Sequence, residues 1–217
     1  GAGKYMAGFK NVVAMVREIH DSMGITVPVA LHLDHGSFEG AKACIEAGFT
    51  SVMFDGSQME YDQNVECTRR VVEAAHGAGV SVEGEIGTIG ETEDYLNGTV
   101  RDMVYTSPEL ARRFVEDTGV DALAVSIGTV HGILPKGYVP KLQLGLLKEL
   151  EAAVPVPLVL HGGSGTPHDE VAAACRTGIH KVNISSEFKH AYYQSVREFV
   201  TNHPTLVSPT LVLKDAV

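Results

Sequence analysis

The chain has 217 residues, 44% apolar and 20% charged, with a formal net charge of −10. This is a globular balance, and the length supports one sizeable core without forcing a second domain. An acidic chain with no Lys/Arg cluster argues against nucleic acid as a partner, and no apolar run of about 18 residues is present to cross a membrane.

The opening Gly1-Ala-Gly-Lys4 does not read as a signal peptide. Cys44, Cys67 and Cys175 are odd in number, widely spaced and set in helical patterns, so they read as reduced thiols of a cytoplasmic protein.

Residues 6–22 carry Phe9, Val12, Val13, Val16 and Ile19 at helical spacing. After Gly24, the apolar stretch Val27–Leu33, bounded by Pro28, predicts a first buried strand. It runs into Asp34, His35 and Gly36. Ser37 is placed to cap the following helix and Gly48 to end it. A second strand is predicted over Ser51–Asp55, a helix over 61–76, and a third strand over Val80–Glu85. Next comes a long polar, glycine-rich segment, Ile86–Tyr105. Ser107-Pro108-Glu109 has a cap, a first-turn proline and a first-turn acid in the right order for a helix start. Strands follow at Asp121–Ile127, Val156–Leu160 and Ile179–Ile184. Helices are predicted over Leu142–Leu150, from Thr166-Pro167-His168-Asp169, and over Glu187–Val200. The tail from Thr201 reads as irregular.

Strands alternating with helices predict a parallel sheet with crossover helices. Six strands and their helices follow an orphan first helix, whereas a closed barrel needs eight strands. The chain is therefore either an open doubly wound sheet or a (β/α)8 barrel whose first two strands lie outside it. The orphan helix favours the barrel.

The C-terminal ends of the predicted strands carry the chemistry: Asp34-His35-Gly36, Asp55-Gly56-Ser57, Glu83-Gly84-Glu85, Gly128-Thr-Val-His131-Gly132, His161-Gly162-Gly163-Ser164-Gly165 and Asn183-Ile-Ser185-Ser186. In a parallel barrel that rim is where an active site is built. His35, His131 and His161, from different strands, can hold a metal with a position open to substrate. His32 shares a strand face with Asp34 and reads as a packing or supporting residue. The other histidines fall on helices, loops or a strand start. Gly162–Gly165, between a strand and a helix N-terminus, suits a phosphate, and Asn183–Ser186 repeats the arrangement. Glu91, Glu93 and Asp94 sit in the glycine-rich segment, where a carboxylate on a lid could move a proton.

Together and in this order, His-Leu-Asp-His-Gly (32–36), Glu-Gly-Glu-Ile-Gly with Glu-Thr-Glu-Asp (83–94), Gly-Thr-Val-His-Gly (128–132), His-Gly-Gly-Ser-Gly (161–165) and Lys-Val-Asn-Ile-Ser-Ser (181–186) resemble the class II, metal-dependent ketose-bisphosphate aldolases. The resemblance implies a single (β/α)8 TIM-barrel catalytic domain over 1–217, N-terminally incomplete, in a homodimer or homotetramer. It implies a zinc ion (Zn2+) on His35, His131 and His161, with Glu85 as a ligand in an alternative metal position. A monovalent cation, Na+ or K+, is implied near the phosphate.

By the same resemblance, Asp34 handles the proton of the C4 hydroxyl and Glu93 the proton at C3. Gly132, Gly162, Gly163, Ser164, Asn183, Ser185 and Ser186 hold the dihydroxyacetone phosphate end. The loop lacks the second of the paired glycines expected in the family, which leaves Glu91 beside Glu93 as a candidate. The implied reaction is cleavage of fructose 1,6-bisphosphate into triose phosphates through a zinc-stabilised enediolate. The zinc replaces the Schiff-base lysine that another aldolase class requires. The alternatives are the tagatose epimer as substrate, or a metal- and phosphate-binding barrel without turnover. A pure binder has no need of both Asp34 and Glu93.

Overall fold

The structure, a computed structural model, describes residues 7–87, 90–91, 105–131, 140–206 and 208–214, with Gly90, Glu91 and His131 described by backbone alone. It starts on α1 (Phe9–Ser22), followed by β1 (His32–Gly36), α2 (Phe38–Ala47), β2 (Ser51–Phe54), α3 (Tyr61–Gly77) and β3 (Ser81–Ile86). A two-residue strand β4 (Gly90–Glu91) precedes α4 (Pro108–Thr118), β5 (Ala122–Val125) and a second short strand, β6 (Val130–His131). The chain continues through α5 (Leu144–Ala153), β7 (Leu158–Leu160), α6 (His168–Thr177), β8 (Ile179–Val182), α7 (Ser186–Asn202) and α8 (Pro209–Leu213).

The main sheet runs β1-β2-β3-β5-β7-β8, six strands, all neighbours parallel. Spatial order equals chain order, so every crossover advances the sheet in one direction. A doubly wound sheet reverses direction at a switch point, and this one does not. The architecture is an α/β half-barrel, a partial TIM-barrel wall.

Alternation along each strand separates the two faces. Val52 and Phe54, Val82, Leu123 and Val125, Leu158 and Leu160 are buried in the cluster that includes Cys44, Val71, Phe114, Leu147 and Leu150 of the helices. Each such side chain contributes roughly 1.5–3 kcal/mol, so this outer layer is what holds the wall. The opposite face has a small apolar cluster, Met53, Ala124 and Val159, beside the polar side chains of the site.

Ser37 accepts a hydrogen bond from the Gly40 amide at the start of α2, and Gly48 ends that helix in a left-handed conformation, φ 100°. Pro108 and Glu109 occupy the first turn of α4 as expected. At α6 the N-cap is Pro167, without a side-chain cap; the Thr166 hydroxyl instead bonds the Gly162 carbonyl.

The first strand differs from expectation. Val27 and Val29 are 64% and 51% exposed and lie outside the sheet, which begins where the Leu31 carbonyl accepts from Thr50 and Ser51. Pro28 has no amide to give a ladder, and pairing waits for Leu31. The tail also differs, since Ser208-Pro209 starts the five-residue helix α8. A ladder that was not predicted pairs β4 with β6 in parallel, Gly90 opposite Val130 and Glu91 opposite His131.

Candidate metal centre and active site

A regular strand cannot aim two consecutive side chains at one centre, because neighbours point to opposite faces. β1 does so through a bulge. Its register to β2 slips between Leu33 and Gly36, and His35 takes a left-handed backbone, φ 47°. The His35 amide leaves the ladder and points to Met53 Sδ at 3.4 Å. Asp34 and His35 then both face the groups on the far wall: Asp34 Oδ1 lies 3.8 Å from His161 Nδ1, and His35 Nε2 lies 3.0 Å from the same nitrogen.

Two carboxylates set the outer nitrogens of these rings. His35 Nδ1 lies 2.8 Å from Asp55 Oδ2, and His161 Nε2 lies 2.7 Å from Glu83 Oε1. The Asp55 hydrogen bond lifts the His35 imidazole to about 9, against desolvation and with help from Glu85 and Asp34. Burial opposes the charge of Asp55, but hydrogen bonds from His35 and Ser57 outweigh it and bring that carboxyl to about 2. An ionised carboxylate only accepts. Asp55 therefore fixes the proton of His35 on Nδ1, and Nε2 turns toward His161.

Glu83 is 2% exposed, and its second oxygen accepts from Lys181 Nζ at 2.7 Å. Burial opposes its charge, but the hydrogen bond from His161 and the Lys181 ammonium hold its carboxyl below the usual range. His32 belongs to the same layer, with Nδ1 2.8 Å from Ser51 Oγ and Nε2 3.5 Å from Lys181 Nζ. Desolvation and Lys181 lower its pKa. His32 thus supports the site, as its strand face suggested.

Glu85 is also 2% exposed, and its Oε2 is buried without a hydrogen-bond partner, 3.8 Å from His35 Nδ1. Burial, reinforced by the Asp55 charge, pushes its carboxyl up to about 8. Asn183 donates to Asp34 Oδ1 at 2.8 Å, and its amide nitrogen lies 3.4 and 3.3 Å from the two ring nitrogens of His161. The acid–base candidate is therefore held by a neutral donor beside the imidazole pair.

The glycine-rich turn keeps two strand ends close. Gly162 has φ 67°, and a Cβ there would sit 2.8 Å from the Val130 carbonyl oxygen. A Cβ on Gly163 would meet Val182 Cγ1 at 2.9 Å. Ser164 is buried, and its Oγ accepts from the amides of Ser185 and Glu187 at 3.2 and 3.3 Å. It closes the N-terminus of α7, which the side chain of Ser185 does not cap. Ser186 is the first residue of that helix.

These groups fit a zinc ion. Asp34, His35 and His161 offer ligand atoms within 4.8 Å of one another, as do His35, Asp55 and Glu85. Two nitrogens on one tetrahedral zinc lie roughly 3.3 Å apart, given bonds of about 2.0–2.1 Å, and the facing imidazole nitrogens stand at 3.0 Å. The partnerless Glu85 oxygen is a further carboxyl ligand atom, on the Nδ1 side of His35, whose ionised form a metal's charge would favour. The side chain of His131, together with Gly132, Glu93 and the side chain of Glu91, lies outside the described residues. What is described is the backbone of β6, which sets His131 opposite Glu91.

Sequence reasoning placed Asp55 and Glu83 on the rim without a role and overlooked Lys181. A period-two reading would have found two of them, because Glu83 shares a face with Glu85 and Lys181 with Asn183. Cys44 is buried, and burial pushes its thiol to about 11, which removes it as a nucleophile.

The family model for class-II fructose-bisphosphate aldolase matches residues 1–217. A fructose-bisphosphate aldolase of Geobacillus stearothermophilus is 43% identical over 221 residues, covering 100% of this chain and 76% of the relative. One from Streptococcus pyogenes is 48% identical over 204 residues, covering 94% and 68%. The crystal structure of the YdjI aldolase from Escherichia coli K12 superposes with a TM-score of 0.78 at 32% identity, covering 96% of this chain and 70% of that one. The chain belongs to the class-II fructose-bisphosphate aldolase family.

Proposed function

We propose that the chain reversibly cleaves fructose 1,6-bisphosphate to dihydroxyacetone phosphate and glyceraldehyde 3-phosphate at a zinc centre. The observation that carries this reading is the Asp34 carboxylate standing beside two imidazole nitrogens 3.0 Å apart. Cleavage needs a base for the C4 hydroxyl next to the group that takes up the charge left on the ketone side. His35, His161 and His131 would hold the zinc, with Glu85 as the alternative ligand. A bound zinc ion would supply Lewis-acid stabilisation of the enediolate charge left when C3–C4 breaks.

Asp34 accepts the C4 hydroxyl proton and returns it in the condensation direction, held in place by Asn183. Asn183 can turn the same amide toward the ketose. Glu93, with Glu91 as the alternative, moves the C3 proton. Gly132, Gly162, Gly163, Ser164, Ser185 and Ser186 bind the phosphate near the start of α7, where Ser164 now occupies two amides. A monovalent cation, Na+ or K+, belongs beside that phosphate.

In this reading the half-barrel is completed to eight strands by two more between β8 and β1. The exposure of Val27 and Val29 and the lack of buried residues on α7 support this, since both flank the open ends of the sheet. The assembled protein is a cytoplasmic homodimer or homotetramer acting on ketose bisphosphates and triose phosphates. No described helix is long and apolar enough to cross a membrane.

A coupled triose-phosphate assay with fructose and tagatose 1,6-bisphosphates side by side, with and without zinc, tests the proposal. Zinc-dependent turnover with fructose bisphosphate preferred is expected. Preference for the tagatose epimer would reassign the substrate, and zinc binding without turnover of either would make the chain a binder.

A further inference from the structure

One donor reaches each oxygen of Glu83. One oxygen faces His161 Nε2 at 2.7 Å and the other accepts from Lys181 Nζ at 2.7 Å, with His32 Nε2 3.7 Å from that second oxygen. The carboxylate is 2% exposed, so water does not compete for it. A buried anion this close to an imidazole nitrogen requires a proton on that nitrogen, and a buried anion without a cation is costly. Lys181 supplies the cation from β8, three strands along the sheet from β3 and two residues before Asn183.

We infer that Glu83, neutralised by Lys181, is a positioning residue that locks His161 in its Nε2–H tautomer and so presents the Nδ1 lone pair to His35 and Asp34. Glu83 touches no reacting atom. Its effect on the site passes entirely through the His161 ring, as outer carboxylates do for metal-binding histidines. The consequence for zinc rests on the proposed metal centre. The tautomer itself is a property of the metal-free protein.

The pairing explains why a carboxylate is needed and an amide is not enough. Glutamine at 83 offers one acceptor and one donor to two donors. Its carbonyl would turn to the Lys181 ammonium, leaving its NH2 against His161 Nε2. His161 would then accept there and move its proton to Nδ1, onto the lone pair a metal requires. Replacing Lys181 as well frees the carbonyl to face His161 again.

Histidine-selective 15N NMR of the metal-free wild-type protein reads the tautomer directly and requires no variant to fold. His161 is expected to show a protonated Nε2 and an unprotonated, hydrogen-bonded Nδ1. A protonated Nδ1 with a bare Nε2 would overturn the inference. Glu83→Gln is expected to shift His161 to the Nδ1–H form and to weaken zinc binding by about 10–100-fold in a chelator competition. Glu83→Gln/Lys181→Met should return the tautomer and part of the affinity, which a purely structural role for Glu83 would not do. Unchanged tautomer and affinity in Glu83→Gln would sink the inference. If the wild-type protein binds no zinc, the metal-centre reading fails while the tautomer result still stands or falls separately.

Discussion

His35 holds a left-handed backbone that costs a residue with a Cβ roughly 1–2 kcal/mol. Its hydrogen bond to the Asp55 carboxylate contributes on the order of 1.5–3 kcal/mol, enough to sustain the bulge. Without that bulge Asp34 would face away from the centre whenever His35 faced it. Asp34→Ala is expected to leave zinc bound, because the imidazoles stay in place, and to lower kcat by about 10²–10⁴-fold. Metal analysis and steady-state kinetics on the same sample check both halves, and unchanged turnover would remove Asp34 from the chemistry.

The same residues give the metal-free protein a pH signature. The folded value of Glu85, about 8, lies above its ordinary 4.5, so its contribution is complete below 4.5 and is lost as pH rises through 8. His35, at about 9 against 6.5, contributes fully below 6.5 and loses that as pH rises through 9. Asp55, at about 2 against 3.8, contributes above 3.8 and loses that as pH falls through 2. The melting temperature of metal-free protein should therefore decline from about pH 5 to pH 9. Glu85→Gln should flatten the lower part of that decline, and a wild-type profile flat across the range would contradict the assigned burial of Glu85.

Among the elements, β3 brings Glu83 and Glu85 to the site, and Gly84 between these two glutamates faces α4. A Cβ there would meet Phe114 Cε1 at 2.8 Å and Val120 Cγ1 at 3.0 Å. Gly84→Ala should cost about 1–3 kcal/mol in urea denaturation, because α4 must retreat from the sheet. Ser37→Ala, losing the α2 cap, should cost about 0.5–2 kcal/mol by the same measurement.

The order and kind of these elements were legible, since apolar period and turn residues define them locally. β1 was misplaced because hydrophobicity at Val27 and Val29 does not reveal whether a neighbour is there to pair. The bulge at His35 was not legible, since φ at one residue depends on Asp55 twenty positions away. Strand alternation alone puts Glu83 on the face of Glu85 and Lys181 on the face of Asn183, but their pairing comes from the fold.

At the scale of the molecule, the site exists because the wall winds one way. His35 and His161 are 126 residues apart and meet at 3.0 Å only when the strand ends lie on one rim. Motif order implied that meeting, but the distances, and the choice of nitrogen each ring turns inward, come from the fold. The ends of the sheet should also behave differently from its middle. Amides of β1 and β8, each paired within the main sheet on one side only, should exchange with deuterium about tenfold or more faster than those of β3 and β5. Uniform protection across all six strands would show those edges already covered, by the two completing strands or by another polypeptide.

Titrating zinc into metal-free protein while following fructose 1,6-bisphosphate cleavage tests the central claim most directly, that strand ends of this wall build a zinc-dependent aldolase centre. Activity is expected to be absent without metal, to rise in proportion to added zinc until one equivalent per chain, and to vanish on chelation. Full turnover by metal-free protein, or none after one equivalent is bound, would contradict it.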